Sequence, residues 1–314
     1  MAFDLYLAGA PNKVVSEFLL TKNKSPKLLN QVSERRAIGN WVEAIRTVSP
    51  EQKLFVDSGA YLTYSNGKEV DVDNYISYAN ENMDAITIFA PVDKIPGVRG
   101  EIKTKEQILE APTLSWENYL YMRERVSDPD KLIPVFHRRE DFKWLKLILE
   151  SKFDGKQIPY MALAPTTDSS TPEKKAWLDK VFAIIKTSSN PNIKTHLFGA
   201  TSTNLLELYP LTSADSTAWC RRAAFGMIMT KFGDVICSEI SSFKKRHINY
   251  NFGKDTIEKY VNDFGFELRD LIHDNLETSV TANDQRSMFN AVFFKDWSDN
   301  YEYKGKNILK KSLF

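Results

Sequence analysis

Four polar residues stand where short apolar runs end, and their types suit acid–base chemistry on a flat heterocycle. Leu54-Phe55-Val56 finishes in Asp57-Ser58-Gly59-Ala60-Tyr61, and Ile86-Thr87-Ile88-Phe89 leads through Ala90-Pro91-Val92 to Asp93. Ile133-Pro134-Val135-Phe136 ends at His137, and Ser213-Ala214 runs into Asp215-Ser216-Thr217-Ala218-Trp219. Three carboxylates and an imidazole converging on one face would make a base-sized pocket able to give and take protons. Each residue also has a plain structural reading. Asp57 before Ser58-Gly59 fits a turn or a helix N-cap, and Asp93 before Lys94-Ile95-Pro96-Gly97 fits a turn. His137 fits a satisfied core histidine, and Asp215 fits the cap of a helix starting near Ser216. Their joint placement at the ends of separate apolar runs favours chemistry.

The elements that would position them alternate. Strand candidates are Leu5–Ala8, Leu54–Asp57, Ala85–Phe89, Leu132–His137, Tyr160–Ala164, Thr195–Gly199, Ala214–Trp219 and Val235–Ile240. Several are near-continuous apolar runs, as strands covered on both faces should be. Helical spacing separates them: Trp116, Tyr119, Leu120 and Arg123; Phe142, Leu145, Ile148 and Leu149; Trp177, Leu178, Val181, Phe182 and Ile185. Thr171-Pro172-Glu173 reads as the opening of that last helix, with Thr171 as N-cap. Eight strands alternating with helices predict an α/β fold, a (β/α)8 TIM barrel, with an open doubly wound sheet as the alternative. In a barrel the ends of the strands that carry Asp57, Asp93, His137 and Asp215 form the active face.

No repeat, low-complexity tract or Pro/Gly/Ser linker divides the chain. It reads as one domain over 1–314, with a barrel core of about 1–245 and a mostly helical extension of about 250–314. Ile257–Ile272 and Asp284–Trp297 are the helix candidates there, followed by a basic tail from Lys304 to Lys311. A length of 314 residues and 42% hydrophobic residues suit one large globular core. No apolar run reaches the roughly 18 residues of a membrane span, and the start Met-Ala-Phe-Asp-Leu-Tyr lacks the basic region of a signal peptide. Cys220 and Cys237 fit reduced thiols in the cytoplasm and lack zinc-site spacing, so no metal is expected. No G-x-G-x-x-G follows the first strand and no P-loop occurs, so no nucleotide cofactor is expected. With a net charge of +1, a nucleic-acid binder would have to concentrate its cations locally.

The stretch Asp57-Ser58-Gly59-Ala60-Tyr61 resembles the Asp-Ser-Gly-Gly-aromatic loop of the tRNA-guanine transglycosylase superfamily. His196-Leu197-Phe198-Gly199-Ala200-Thr201-Ser202, then Leu205-Leu206 and Asp215, resembles that family's Leu-Met-Gly strand, short helix and nucleophile strand, in the same order. The Ser-x-Asp-Ser-Thr-x-Trp setting of Asp215 is more similar to the phage and bacterial DNA-modifying branch. The resemblance implies a single reaction, exchange of guanine in nucleic acid for a 7-deazaguanine through a covalent aspartyl-glycosyl intermediate. It implies Asp215 as nucleophile and Asp57 as the base-contacting, proton-handling acid. Ser58 and Gly59 accompany Asp57, Tyr61 would stack on the base, and Asp93 and His137 would read its edge. Leu163, Ala164 and Gly199 would lie along the heterocycle. The partners implied are nucleic acid, DNA rather than tRNA, and a free 7-deazaguanine base. Two features depart from the tRNA enzymes: Ala218 stands where they carry a second aspartate, and the C-terminal Cys/His zinc module has no counterpart.

Arg138-Arg139 after His137 and Arg221-Arg222 after Asp215 are the phosphate candidates, on loops of the active face. Lys244-Lys245-Arg246 is a third basic cluster. Basic pairs are also common as plain solvated surface. Two other functions compete: a non-catalytic nucleic-acid-binding subunit of the same fold, and an unrelated barrel hydrolase or lyase acting on a small molecule.

Overall fold

The computed structural model describes residues 3–9, 12–21, 27–31, 42–47, 50–60, 64, 69–97, 100–166, 169–199, 202–238, 253–274 and 279–305. The strands, in chain order, are β1 (Asp4–Ala8), β2 (Lys27–Gln31), β3 (Leu54–Asp57), β4 (Ile88–Phe89), β5 (Val135–His137), β6 (Lys152–Phe153), β7 (Lys156–Gln157), β8 (Tyr160–Ala164), β9 (Lys194–Leu197), β10 (Ser213–Ser216), β11 (Met227–Thr230) and β12 (Gly233–Ile236). Eight of them form one sheet in the order β4-β3-β2-β1-β10-β9-β8-β5, and every pairing in it is parallel. The two strands at the ends of that order approach each other as well. Phe89 of β4 bridges in parallel to Leu132, just ahead of β5, and the Ile133 N–H donates to the Phe89 carbonyl at 3.0 Å. The architecture is mixed α/β around a parallel sheet.

Side chains alternate across each strand. One set, including Leu5, Leu7, Leu54, Val56, Phe89, Phe136, Met161, Leu163 and Leu197, joins the main core together with helix residues such as Tyr75, Leu145, Leu178 and Val181. The other set, Tyr6, Ala8, Phe55, Ile88, Ala90, Ile133, Val135 and Ala162, forms a second buried cluster built wholly from the strands and their immediate flanks. Both faces are therefore apolar and covered, which is why the strands read as continuous hydrophobic runs.

Helices at 72–81, 105–123, 142–150 and 171–187 occupy the connections. Local chemistry starts each one. Asp71 and Asp141 cap two of them, and Thr104 with Gln107 forms a capping box on a third. The helix expected to begin with Thr171 as its N-cap is capped one residue earlier: Ser170 accepts from the Glu173 N–H, and Glu173 reaches back to the Ser170 backbone. Its buried face is Trp177, Leu178, Val181 and Ile185.

Three expected elements differ. The strand expected over Ala214–Trp219 ends at Ser216, and Ala218 and Trp219 open the next helix. The expected strand Val235–Ile240 runs partly outside the described residues, at 239–240, and its residues 235–236 belong to the antiparallel hairpin β11–β12, where a partner nine residues or fewer away in sequence costs little chain entropy to recruit. The eighth strand is Lys27–Gln31, which pairs with both β1 and β3. The helix expected over Ile257–Ile272 is two helices, Lys254–Asp263 and Leu268–Ile272. Gly265 lies between them at φ +79°, where a residue without Cβ is favoured.

The Asp284–Trp297 expectation is met by a helix over Ala282–Asp299, held against the strands by buried polar groups. Asn290 accepts from the Met229 N–H at 2.7 Å and donates to the Trp219 carbonyl at 2.9 Å. Ser298 donates to the Phe3 carbonyl, and the Phe3 ring stacks on Tyr301. Among the described residues no helix is long and apolar enough to cross a membrane.

Candidate active site

Because all eight strands point the same way, their C-terminal ends lie together. Asp57 closes β3, Asp93 follows β4, His137 closes β5, Ala164 closes β8, Gly199 follows β9, and Asp215 lies near the end of β10. Asp57 feels the charges of both Asp215 and Asp93, and Asp93 bonds His137 directly. The four residues singled out by sequence are therefore brought to one end of the sheet.

Asp215 does not cap a helix. The helix after it spans Ala218–Ala224, with Thr217 in the N-cap position and no side-chain cap bond. Asp215 is instead buried, at 5% exposure; its Oδ1 accepts from the Gly199 N–H at 2.9 Å and meets His196 Nε2 at 3.3 Å. Gly199 sits at φ +61°, the left-handed turn that aims its N–H at the carboxylate and that a Cβ would penalise. Ala218 is buried at the start of that helix.

Asp57 is held differently. Burial, then the charges of Asp215 and Asp93, push its carboxyl up to about 7 from an ordinary 3.8, although the Ser58 and Gly59 N–H groups donate to it and pull the other way. The two aspartates thus occupy unlike environments, one bonded by fixed donors and the other poised to carry a proton at neutral pH. The loop below Asp57 is tied down by Tyr75, fully buried on the 72–81 helix. Its hydroxyl donates to the Ala90 carbonyl at 2.9 Å and reaches the Val56 carbonyl at 3.3 Å, joining the ends of β3 and β4.

Asp93 is not a turn acid. Its Oδ2 meets His137 Nε2 at 3.1 Å, and Glu140 Oε1 meets His137 Nδ1 at 2.9 Å. Burial works against a charged ring here, but the two carboxylates outweigh it and raise His137 to about 10. The ring is then an imidazolium with both N–H groups engaged. Asp93 and Glu140 also line a shallow cleft whose walls include Trp116, Tyr119 and Trp144.

Leu163 is fully buried on the helix-facing side of β8, whereas Ala164 packs against the strand-only cluster. Ser58 is buried behind Asp57. Tyr61 lies outside the described residues, as does Lys244-Lys245-Arg246.

The arginines differ from one another. Arg138 is committed within the protein, donating to Thr166 Oγ1, Ser169 Oγ and Glu173 Oε1. Arg139 follows it in a left-handed conformation, φ +93°. Arg221 and Arg222 lie on the Ala218–Ala224 helix rather than on a loop. Arg222 pairs with Asp234, while Arg221 is exposed and its side chain makes no hydrogen bond or ion pair with another described residue.

Sequence reasoning assigned no role to His196, Ser213, Tyr160 or Glu140. His196 is fully buried, and its ring packs edge-on against Phe55 at 4.6 Å and Phe198 at 4.9 Å. Its Nδ1 meets Ser213 Oγ at 2.6 Å, and Ser213 Oγ meets the Tyr160 hydroxyl at 2.6 Å. The signal was present in the strand period: Ser213 and Asp215 are two apart and share a face, as do His196 and Phe198. Among the described residues no group of three or more His, Cys, Asp or Glu side chains is arranged to hold a metal ion. Comparison with known protein families and with curated proteins returns no match.

Proposed function

We propose that this chain is a guanine transglycosylase acting on nucleic acid, DNA in preference to tRNA, and that its parallel sheet closes as a (β/α)8 barrel. The barrel reading is supported by the Phe89–Leu132 bridge between the two end strands and by the strand-only cluster. One observation carries the chemistry: two aspartates at the same end of the sheet, Asp215 held by the Gly199 N–H and Asp57 raised to about 7. That division of labour is what a retaining displacement at an anomeric carbon needs.

In the reaction, an Asp215 oxygen attacks C1′ of the target nucleoside, and the bond from C1′ to the base nitrogen breaks. Asp57 gives its proton to the departing guanine and is left as a carboxylate. The incoming 7-deazaguanine loses its ring N–H proton to Asp57, its nitrogen attacks C1′, and the Asp215 ester bond breaks. Two inversions retain configuration, and the ester conserves the energy of the first glycosidic bond. Asp93, held by His137, would accept hydrogen bonds from the base edge. The nucleoside must leave its stack to reach these groups, at a cost of a few kcal/mol.

A small-molecule nucleoside hydrolase is the second reading, favoured by the internal commitments of Arg138 and Arg222, which leave fewer cations for phosphates. The discriminating experiment incubates the protein with labelled guanine-containing DNA or tRNA and with free 7-deazaguanines, then analyses the nucleosides by mass spectrometry. Transglycosylation predicts label release coupled to incorporation of the new base, in DNA above tRNA. Release of base from free nucleosides, without incorporation into polymer, would select the hydrolase.

A further inference from the structure

A polar chain runs through the apolar interior of the sheet to Asp215, and its hydrogen-bond directions can be worked out. Tyr160, Ser213, His196 and Asp215 are linked at 2.6, 2.6 and 3.3 Å. The chain starts at the first residue of β8 and ends near the C-terminal end of β10, so it spans the sheet from one end to the other. Asp215 Oδ1 already accepts the Gly199 N–H, so it is oriented as an acceptor. A bare Nε2 facing it would set two lone pairs against each other, so Nε2 carries the proton. Burial among Phe55, Phe198 and Tyr6 opposes a second proton on the ring and holds His196 below its ordinary range, against the pull of Asp215. Nδ1 is then an acceptor, Ser213 donates to it, and Tyr160 donates to Ser213. Each hydroxyl proton has one place to go.

Both donors to Asp215 converge on Oδ1, and among the described residues Oδ2 receives no hydrogen bond. We propose that His196, fixed as its Nε2–H tautomer by Ser213 and Tyr160, is a positioning residue that clamps Oδ1 of Asp215 and so presents Oδ2 as the attacking oxygen. This rests on Asp215 being the nucleophile. It gives the nucleophile an orienting partner of the kind that ligating and catalytic groups need to hold a productive angle.

Two measurements on the full chain test it. Long-range 15N–1H spectra of histidine-labelled protein, with His196 assigned by its loss in His196→Gln, should show the Nε2–H tautomer at neutral pH, and the signal should move in Asp215→Asn. An Nδ1–H tautomer or an imidazolium would overturn the proposal. In the exchange assay, His196→Leu should lose about 10- to 100-fold in kcat, the loss expected when a hydrogen bond to a charged group is removed, with KM for DNA unchanged. His196→Gln, whose side-chain amide nitrogen can take the place of Nε2–H, should recover most of that loss. If His196→Leu does not fold, Ser213→Ala takes its place and should lose about three- to tenfold. A parental kcat in whichever variant folds would overturn the proposal. If the parent exchanges no base at all, the proposed function fails, and the tautomer with its response to Asp215→Asn decides the positioning role alone.

Discussion

Replacing Asp57 by Asn should stabilise the protein, and by an amount that depends on pH. The folded carboxyl is raised from 3.8 to about 7 by burial and by Asp215 and Asp93. Below 3.8 the group is neutral in both states and has no effect. As pH climbs, the unfolded chain ionises first, so the aspartate increasingly opposes folding, and the effect levels off once pH passes about 7. At about 1.36 kcal/mol per pKa unit, the full opposition is about 4 kcal/mol. With an unfolding entropy of about 2.1 cal/mol/K per residue over 314 residues, that corresponds to about 6 °C in Tm. Calorimetry of parent and Asp57→Asn from pH 4.5 to 8 should therefore show the variant gaining steadily and then holding its lead. A Tm difference that stays flat across that range would refute the account of Asp57 as a half-buried, proton-carrying acid. The same substitution should abolish exchange, because an amide cannot hand over the proton.

Three other outcomes follow from the site. His137, lifted to about 10 by Asp93 and Glu140 against its burial, should remain an imidazolium through pH 9 by NMR, and its stabilising contribution should be complete below 6.5, decline as pH rises from there and be gone above about 10; titration near 6.5 would contradict the carboxylate sandwich. Arg221→Ala should weaken DNA binding and lower the salt slope by about one, whereas Arg222→Ala, which loses the Asp234 pairing, should leave the slope unchanged; equal slopes for Arg221→Ala and the parent would remove Arg221 from the phosphate contacts. Tyr75→Phe should cost about 1–2 kcal/mol in denaturant unfolding, since two buried carbonyls lose their shared donor, and a neutral result would mean the ends of β3 and β4 are held by other contacts.

The elements that could be read from the sequence are those whose own residues determine them. Leu54–Asp57 and Tyr160–Ala164 match their strands residue for residue, and the 171–187 helix announced itself through Pro172, Glu173 and its apolar spacing. Asp57 and Asp215 were visible because each stands at or near the end of a strand, where side chains of neighbouring strands converge. β2 was hidden because Lys27-Leu28-Leu29-Asn30-Gln31 carries only two apolar residues; its identity comes from pairing with both β1 and β3. The His196–Ser213–Tyr160 chain was hidden for a related reason. It crosses three strands, so it exists only once the register sets His196 opposite Ser213. Arg138 read as a phosphate candidate because its partner Glu173 belongs to the helix that follows β8, far along the sequence.

The central claim is that Asp215 makes and breaks a bond to C1′. It is tested most directly by trapping the protein on a DNA duplex containing the target guanine, denaturing, digesting and mapping the adduct by mass spectrometry. The account predicts a deoxyribosyl ester on Asp215, its loss in Asp215→Asn, and retained DNA binding by that variant. An adduct on Asp57, or an Asp215→Asn variant that exchanges guanine at the parental rate, would contradict it.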